Sequence, residues 1–269
     1  MKEQTIKSDV EISGIGVHSG KQSKIVLRPS KKEGIIFIKN GERIPATLDK
    51  VDFCDREITL IENGERIRTT EHLMSALYAC KIDHVQISIE GEEIPALDGS
   101  AQPFVAAIEK AGTEKLKSEK NERYLRRNIS VERKGCFASC APSDKLEIRY
   151  IISYNHPLLY YQEYSYNGES NFKDIANCRT YGMLKWKEEL NKKGFALGAS
   201  EENTLVYTEN GTLNKPRLMD EAVRHKVLDL LGELYLMRPI PIGKYLIFRG
   251  GHLLHFQLLT EIQRSQNDI

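Results

Sequence analysis

The residue types able to hold a metal ion or move a proton fall in three separated stretches of this chain. Near residue 70 the order is Thr69-Thr70-Glu71-His72; downstream come Arg224-His225-Lys226-Val227-Leu228-Asp229 and Arg249-Gly250-Gly251-His252. His225 and Asp229 are four residues apart, so on a helix they share one face, a turn apart. An imidazole and a carboxylate so placed can grip one ion, with His72 as a third ligand. Three protein ligands leave a fourth zinc position open, which marks a catalytic rather than a structural site. Glu71, adjoining a ligand, is then a general base, and the chain reads first as a zinc hydrolase. The competing reading makes 225, 229 and 233 one solvated helix stripe and His72 a structural histidine.

Two weaker signals accompany these. Arg249-Gly250-Gly251-His252 stands where a predicted strand meets a helix. Its glycines permit close backbone approach to a ligand, the helix start offers free N–H groups to an anion, and Arg249 is suited to phosphate. The alternative is an ordinary tight turn. His18, in Gly14-Ile15-Gly16-Val17-His18-Ser19-Gly20, belongs either to a polar turn or to a substrate-facing loop.

Elements able to position such residues are visible along the chain. Ile6 to Val17 and Ser23 to Leu27 alternate as strands. Ile58 to Ile61 and Arg66 to Arg68 flank Asn63-Gly64, a hairpin signal. Thr70 begins a helix that buries Leu73, Met74 and Leu77. A strand follows at His84 to Ile89, a loop at Ile94 to Ser100, and a helix over Ala101 to Ala111. Gly112 to Asn121, dense in Lys and Glu, has the composition of an interdomain linker. In the second half, strands are expected at Ile129 to Glu132, Leu146 to Ser153, Tyr160 to Tyr164 and Lys244 to Arg249. Helices are expected over Leu184 to Lys192, from an Asp220 cap to Leu236, and from His252 to Gln263. Gly194 to Tyr207 reads ambiguously. Strands followed by helices in each half predict an α+β fold.

Composition bounds the function. With 269 residues, 40% hydrophobic and 29% charged, the chain can bury a sizeable core. Lys plus Arg (39) nearly balances Asp plus Glu (38), which argues against a nucleic-acid partner. No apolar run is long enough to cross a bilayer, and Met1 to Val10 lacks the apolar middle of a signal peptide. The five cysteines, Cys54, Cys80, Cys136, Cys140 and Cys178, are an odd and scattered set. They fit a reducing compartment, so a cytoplasmic protein is expected. Cys136 and Cys140 have no second close pair and read as ordinary thiols.

Several stretches together resemble the UDP-3-O-acyl-N-acetylglucosamine deacetylases, the zinc amidases of early lipid A synthesis. They are Gly14 to Gly20, Thr70-Glu71-His72-Leu73-Met74-Ser75-Ala76-Leu77, and Glu93-Ile94-Pro95 running to Asp98-Gly99-Ser100. They continue with Arg179-Thr180, Asn203, Arg224-His225-Lys226 through Asp229 to Gly232, and Gly250-Gly251-His252. The matches span nearly the whole chain in order. The resemblance implies two α+β domains of similar topology, 1–120 and 121–269, with helices sandwiched between two outer sheets and the active site at their junction. It implies a monomer acting on a small-molecule substrate.

The resemblance also implies roles. His72, His225 and Asp229 bind Zn²⁺, although the same ligand shell suits Fe²⁺. Glu71 is the base, Lys226 and Thr180 stabilise an oxyanion, and His252 assists as acid or electrostatic partner. Arg249 lies near the diphosphate. Val17, His18 and Tyr181 approach the glucosamine or acyl group. An insertion over 184–206 supplies an acyl passage, with Phe195 and Leu197 as candidate walls. The chain departs from the family pattern at three points. Glu233 replaces an Asp that normally steadies the catalytic imidazolium. Gly198-Ala199-Ser200-Glu201 replaces Gly-Gly-Ser-Leu and brings a charge toward the expected passage. Ser139 and Cys140 occupy a stretch where a Lys often lies near the nucleotide. Two rival functions remain: the same amidase chemistry on a changed substrate, or a zinc-containing sugar-nucleotide or lipid-binding protein without turnover.

Overall fold

The structure, a computed structural model, describes residues 1–54, 56–168 and 172–267. The first half contains strands β1 (Lys2–Ile6), β2 (Val10–Ile15), β3 (Gln22–Pro29), β4 (Ile35–Lys39), β5 (Glu42–Pro45), β6 (Val51–Cys54), β7 (Glu57–Glu62), β8 (Glu65–Ile67) and β9 (Val85–Glu90). Helix α1 (Glu71–Ala79) precedes β9, and α2 (Gln102–Ala111) follows it. The second half opens with β10 (Thr113–Glu119), β11 (Arg123–Tyr124), β12 (Ile129–Arg133), β13 (Cys136–Ala141), β14 (Glu147–Ile152) and β15 (Gln162–Tyr166). Then come α3 (Lys173–Ala176), β16 (Tyr181–Met183), α4 (Lys187–Lys192), β17 (Leu205–Tyr207), α5 (Glu221–Leu234), β18 (Pro241–Ile242), β19 (Lys244–Phe248) and α6 (His252–Asn267).

Two five-stranded sheets share one topology. Their orders are β2-β3-β9-β4-β5 and β12-β13-β19-β14-β15. In each, the last strand to be made inserts between earlier ones, antiparallel to one neighbour (β3 or β13) and parallel to the other (β4 or β14). The α+β expectation is met by this arrangement. The helices form the layer between: α2 packs on β2 and α1, α1 runs along α5, α5 lies on β14 and β15, and α6 lies on β12 and β13. Alternate strand residues such as Ile25, Leu27, Ile87, Ile148, Tyr150 and Ile247 turn inward onto those helices and are buried. No helix among the described residues is long and apolar enough to cross a membrane.

The Asn63-Gly64 hairpin forms between β7 and β8, with φ of 47° and 86° at the two turn residues. Both are left-handed, as a two-residue turn matched to strand twist requires. The stretch expected to be a linker is instead ordered: β10 pairs antiparallel with β1, placing Ile6 opposite Thr113. Its alternating Lys and Glu belong to an exposed two-stranded ribbon, where charge also blunts a free edge. The Asp220 cap differs too. Asp220 precedes α5, but its carboxylate accepts from Arg224 Nε at 2.7 Å instead of closing the helix end.

Candidate active site

Two helices crossing at close range bring the separated motifs together. Glu71 and His72 begin α1, and His225, Lys226 and Asp229 lie on α5. Along α5 every residue but Arg224 is buried, so the charged stripe is not a solvated face. The carboxylate and its basic neighbours compensate one another, as buried charges must.

The imidazoles of His72 and His225 meet edge-on, with ring centroids 4.9 Å apart. Their Nε2 atoms lie 3.4 and 3.2 Å from Asp229 Oδ1. One ligand atom from each of the three residues lies within 4.8 Å of the others. His225 Nδ1 is 3.0 Å from the carbonyl of Cys178, which can only accept. That nitrogen therefore carries the proton and Nε2 presents its lone pair to the cluster. Burial lowers His225 to about 4, which keeps it neutral, the form that binds metal. Asp229 Oδ1 is buried with no hydrogen-bond partner, while Oδ2 accepts from Lys226 Nζ at 2.8 Å. Burial alone would raise the Asp229 carboxyl, but His225 and Lys226 outweigh it and hold it well below the usual range. Two imidazoles and a carboxylate with an unanswered oxygen fit a divalent metal ion.

These groups open onto a cavity of about 250 Å³. Its walls include Glu71, Lys226, Thr180 and His252 beside the three candidate ligands, together with Val17, His18 and Tyr181, whose ring meets that of His225 edge-on at 6.3 Å. Burial, reinforced by Asp229, pushes the Glu71 carboxyl well above the ordinary range, so it takes up a proton readily. Burial pulls the Lys226 ammonium down, but Asp229 outweighs this and holds it above the usual lysine value. The Tyr181 hydroxyl meets that of Tyr154 at 3.0 Å.

Glu233 stands behind the cavity, with Oε1 2.8 Å from His252 Nδ1. Burial raises the Glu233 carboxyl against the pull of His252; burial and Lys226 lower His252 against the pull of Glu233. Other expected residues stand outside the lining. Phe195 packs edge-on against His18 at 5.3 Å and lies 5.6 Å beneath the Arg68 guanidinium. Leu197 is 52% exposed and abuts Gly20. Arg249 is exposed, with a left-handed φ of 54° and its N–H on the Ile151 carbonyl. The 184–206 stretch does reach the cavity, through Trp186, Leu190, Ala196, Ala199 and Thr204. Glu201 is exposed and not part of the wall, and Ser139 and Cys140 lie on β13, lining a different hollow.

Several residues that the sequence reading did not single out build this site. Glu93 accepts the backbone N–H groups of His18 and Ser19 at 2.9 and 2.7 Å, fixing the loop that carries Val17 and His18. Gly16 leaves the space that the Glu93 carboxylate fills. Thr69 sits at φ 57°, an unusual conformation for a β-branched residue, two residues before α1 begins at Glu71. Its hydroxyl lies 3.0 Å from Glu57 and 2.9 Å from Glu93. The Arg179 and Glu221 side chains form a buried pair at 2.9 Å next to Thr180. Asn203 organises the 198–204 turn, accepting from Ser200 N and Thr204 Oγ1 and donating to the Gly198 carbonyl. Gly16, Thr69, Glu93, Arg179 and Asn203 fall in motifs quoted from the sequence, whereas Glu57 and Glu221 do not.

A family model described as LpxC, UDP-3-O-acyl N-acetylglycosamine deacetylase, matches residues 3–264. The chain belongs to this deacetylase family. A relative from Nautilia profundicola, named UDP-3-O-acyl-N-acetylglucosamine deacetylase, is 37% identical over 97% of this chain and 92% of its own. Relatives of the same name are 36% identical in Oleidesulfovibrio alaskensis, over 99% of this chain and 90% of theirs, and 34% identical in Syntrophus aciditrophicus, over 99% and 87%. The match to the deacetylase family thus covers α1, α5 and the start of α6, which carry Glu71, His72, His225, Lys226, Asp229 and His252.

Proposed function

We propose that this chain hydrolyses the N-acetyl group of UDP-3-O-acyl-N-acetylglucosamine, an early step of lipid A biosynthesis, using Zn²⁺ held by His72, His225 and Asp229. Acetate and a free 2-amino sugar nucleotide are the products. The convergence of those three side chains around the unanswered oxygen of Asp229, beside Glu71, carries the reading. The names of the relatives supply the substrate.

When bound, the divalent ion supplies Lewis acidity, polarising the amide carbonyl and easing the deprotonation of water. Glu71 receives the proton of the attacking water. The Lys226 ammonium and the Thr180 hydroxyl answer the negative charge that develops on the former carbonyl oxygen. His252, as an imidazolium whose Nδ1–H is held by Glu233, gives its Nε2 proton to the departing amine. Val17, His18 and Tyr181 border the sugar. Trp186 and Leu190, with Phe195 and Leu197 beyond them, supply the apolar surface for the acyl chain. Arg249, at the exposed end of β19, answers the diphosphate. The protein works as a monomer in the cytoplasm.

Acetate release tests this reading, measured on the acylated sugar nucleotide and its unacylated counterpart with metal analysis of the purified protein. Metal-dependent release from the acylated substrate alone is expected. Equal turnover of both points to a changed substrate, and release from neither to a binding protein. Zinc or iron in the purified protein decides the physiological ion.

A further inference from the structure

Glu233 does more than meet His252. Its Oε1 and Oε2 lie 3.1 and 3.0 Å from Nδ1 of His255, while Oε1 also lies 2.8 Å from Nδ1 of His252. His255 Nε2 in turn lies 2.8 Å from the Tyr150 hydroxyl. All four side chains are buried, and His255 and Tyr150 are inaccessible to solvent. Hydrogen-bond accounting gives the chain a direction. An ionised carboxylate only accepts, so both Nδ1 atoms donate to it. The lone pair of a neutral His255 then lies on Nε2 and receives the Tyr150 O–H. On His252 the same logic leaves Nε2 as the nitrogen available to the cavity.

A glutamate has one more rotatable bond than an aspartate, and so more freedom to lose when it must orient an imidazole. His255 removes that freedom by engaging both carboxylate oxygens. Gly250, which lines the cavity, accommodates the arrangement: a β-carbon there would lie 3.0 Å from Tyr150 Oη and 3.1 Å from His255 Nε2.

We propose that His255 and Tyr150 are positioning residues for His252, acting through Glu233: Tyr150 fixes the His255 ring, and His255 fixes the carboxylate that receives the His252 Nδ1–H. The inference rests on the deacetylase reading. It also accounts for a glutamate at position 233, since the longer carboxylate spans two imidazoles.

The test is steady-state acetate release from the acylated sugar nucleotide, with metal content and thermal melts recorded for each variant. Tyr150→Phe and His255→Leu lower kcat by roughly 10- to 100-fold, with KM within about twofold and metal content unchanged. His255→Asn, whose amide N–H replaces the Nδ1 donor, recovers part of the loss. In a Glu233→Ala background, His255→Leu costs little more, because the path to His252 is already cut. Tyr150→Phe keeps the ring volume and decides the matter if His255→Leu does not fold. A folded Tyr150→Phe protein with wild-type kcat overturns the proposal. So does a loss confined to KM or metal content, or an undiminished effect of His255→Leu without Glu233. Wild-type protein that releases no acetate overturns the deacetylase reading itself, a result distinct from turnover that ignores Tyr150 and His255.

Discussion

The α-carbon of Gly232 lies against the backbone carbonyl oxygen of Glu71, so close that a β-carbon would overlap it and stand 3.1 Å from Ser75 N. Glycine inside a helix costs about 1 kcal/mol relative to alanine, yet here it lets α5 approach α1 and bring Asp229 to His72. Gly232→Ala must therefore push the helices apart. The expected cost is about 1–3 kcal/mol of stability from overpacking. Activity falls by about 100-fold, as a displacement near 1 Å of catalytic groups can produce. Urea unfolding and kcat/KM measure the two effects. A folded variant with wild-type kcat/KM shows that the close crossing does not set the geometry.

Metal removal separates the candidate ligands by their other partners. His72→Ala and Asp229→Ala both abolish stoichiometric metal in the purified protein. Only Asp229→Ala also strands the Lys226 ammonium, whose carboxylate partner is 2.8 Å away in a buried setting. Breaking a buried pair from one side costs about 3–5 kcal/mol, so this variant melts well below His72→Ala. For the wild type, chelation lowers Tm, and free Zn²⁺ at a hundred times its Kd restores about 2.7 kcal/mol. Metal analysis and melting curves check each arm. Full metal occupancy in either variant removes that residue from the ligand set.

Much of this arrangement is local enough to read from sequence. Helices α1, α5 and α6 follow apolar periodicity, and the β7–β8 turn follows Asn63-Gly64. The candidate ligand pair at positions 225 and 229 obeys helical spacing. What escapes is set by distance along the chain. Glu93 answers the N–H of His18, and Tyr150 answers His255, partners whose pairing no local pattern encodes. His255, one turn after His252, carried a spacing signal, but only the Glu233 carboxylate gives that spacing a meaning. The β10 strand has a linker's composition because an exposed charged ribbon and a solvated linker draw on the same residue types. A polar stripe on α5 is equally ambiguous in sequence, since solvent and compensating buried charges select the same residue types.

Lys226 serves Asp229 and faces the cavity, so its substitution must be read with the metal counted. Lys226→Met keeps most of the apolar stem and removes the charge. The variant is expected to lose about 100- to 1000-fold in kcat, the range for removal of one oxyanion donor. KM changes little, because the charge it answers is strongest in the transition state. Dividing kcat by measured metal content isolates this contribution. If the corrected kcat is within about tenfold of wild type, Lys226 acts only as the partner of Asp229.

The Arg179 and Glu221 pair predicts a pH dependence of stability. Burial alone raises the Glu221 carboxyl, but Arg179 through its side chain and backbone N–H, together with the Arg217 N–H, brings it below the ordinary value. A folded-state value below the unfolded one gives stability that is fully present above the unfolded carboxylate value, about 4.3. That stability is lost as pH falls through the folded-state value. Glu221→Gln should therefore destabilise the protein by about 3–5 kcal/mol at pH 7. The gap stays level down to about pH 5 and closes under stronger acid. Urea midpoints of both proteins from pH 3 to 8 give the curve. Because Arg179 adjoins Thr180, the same variant should lower kcat at neutral pH, where the fold still holds. A gap that widens on acidification reverses the sign and removes the ion pair as its source.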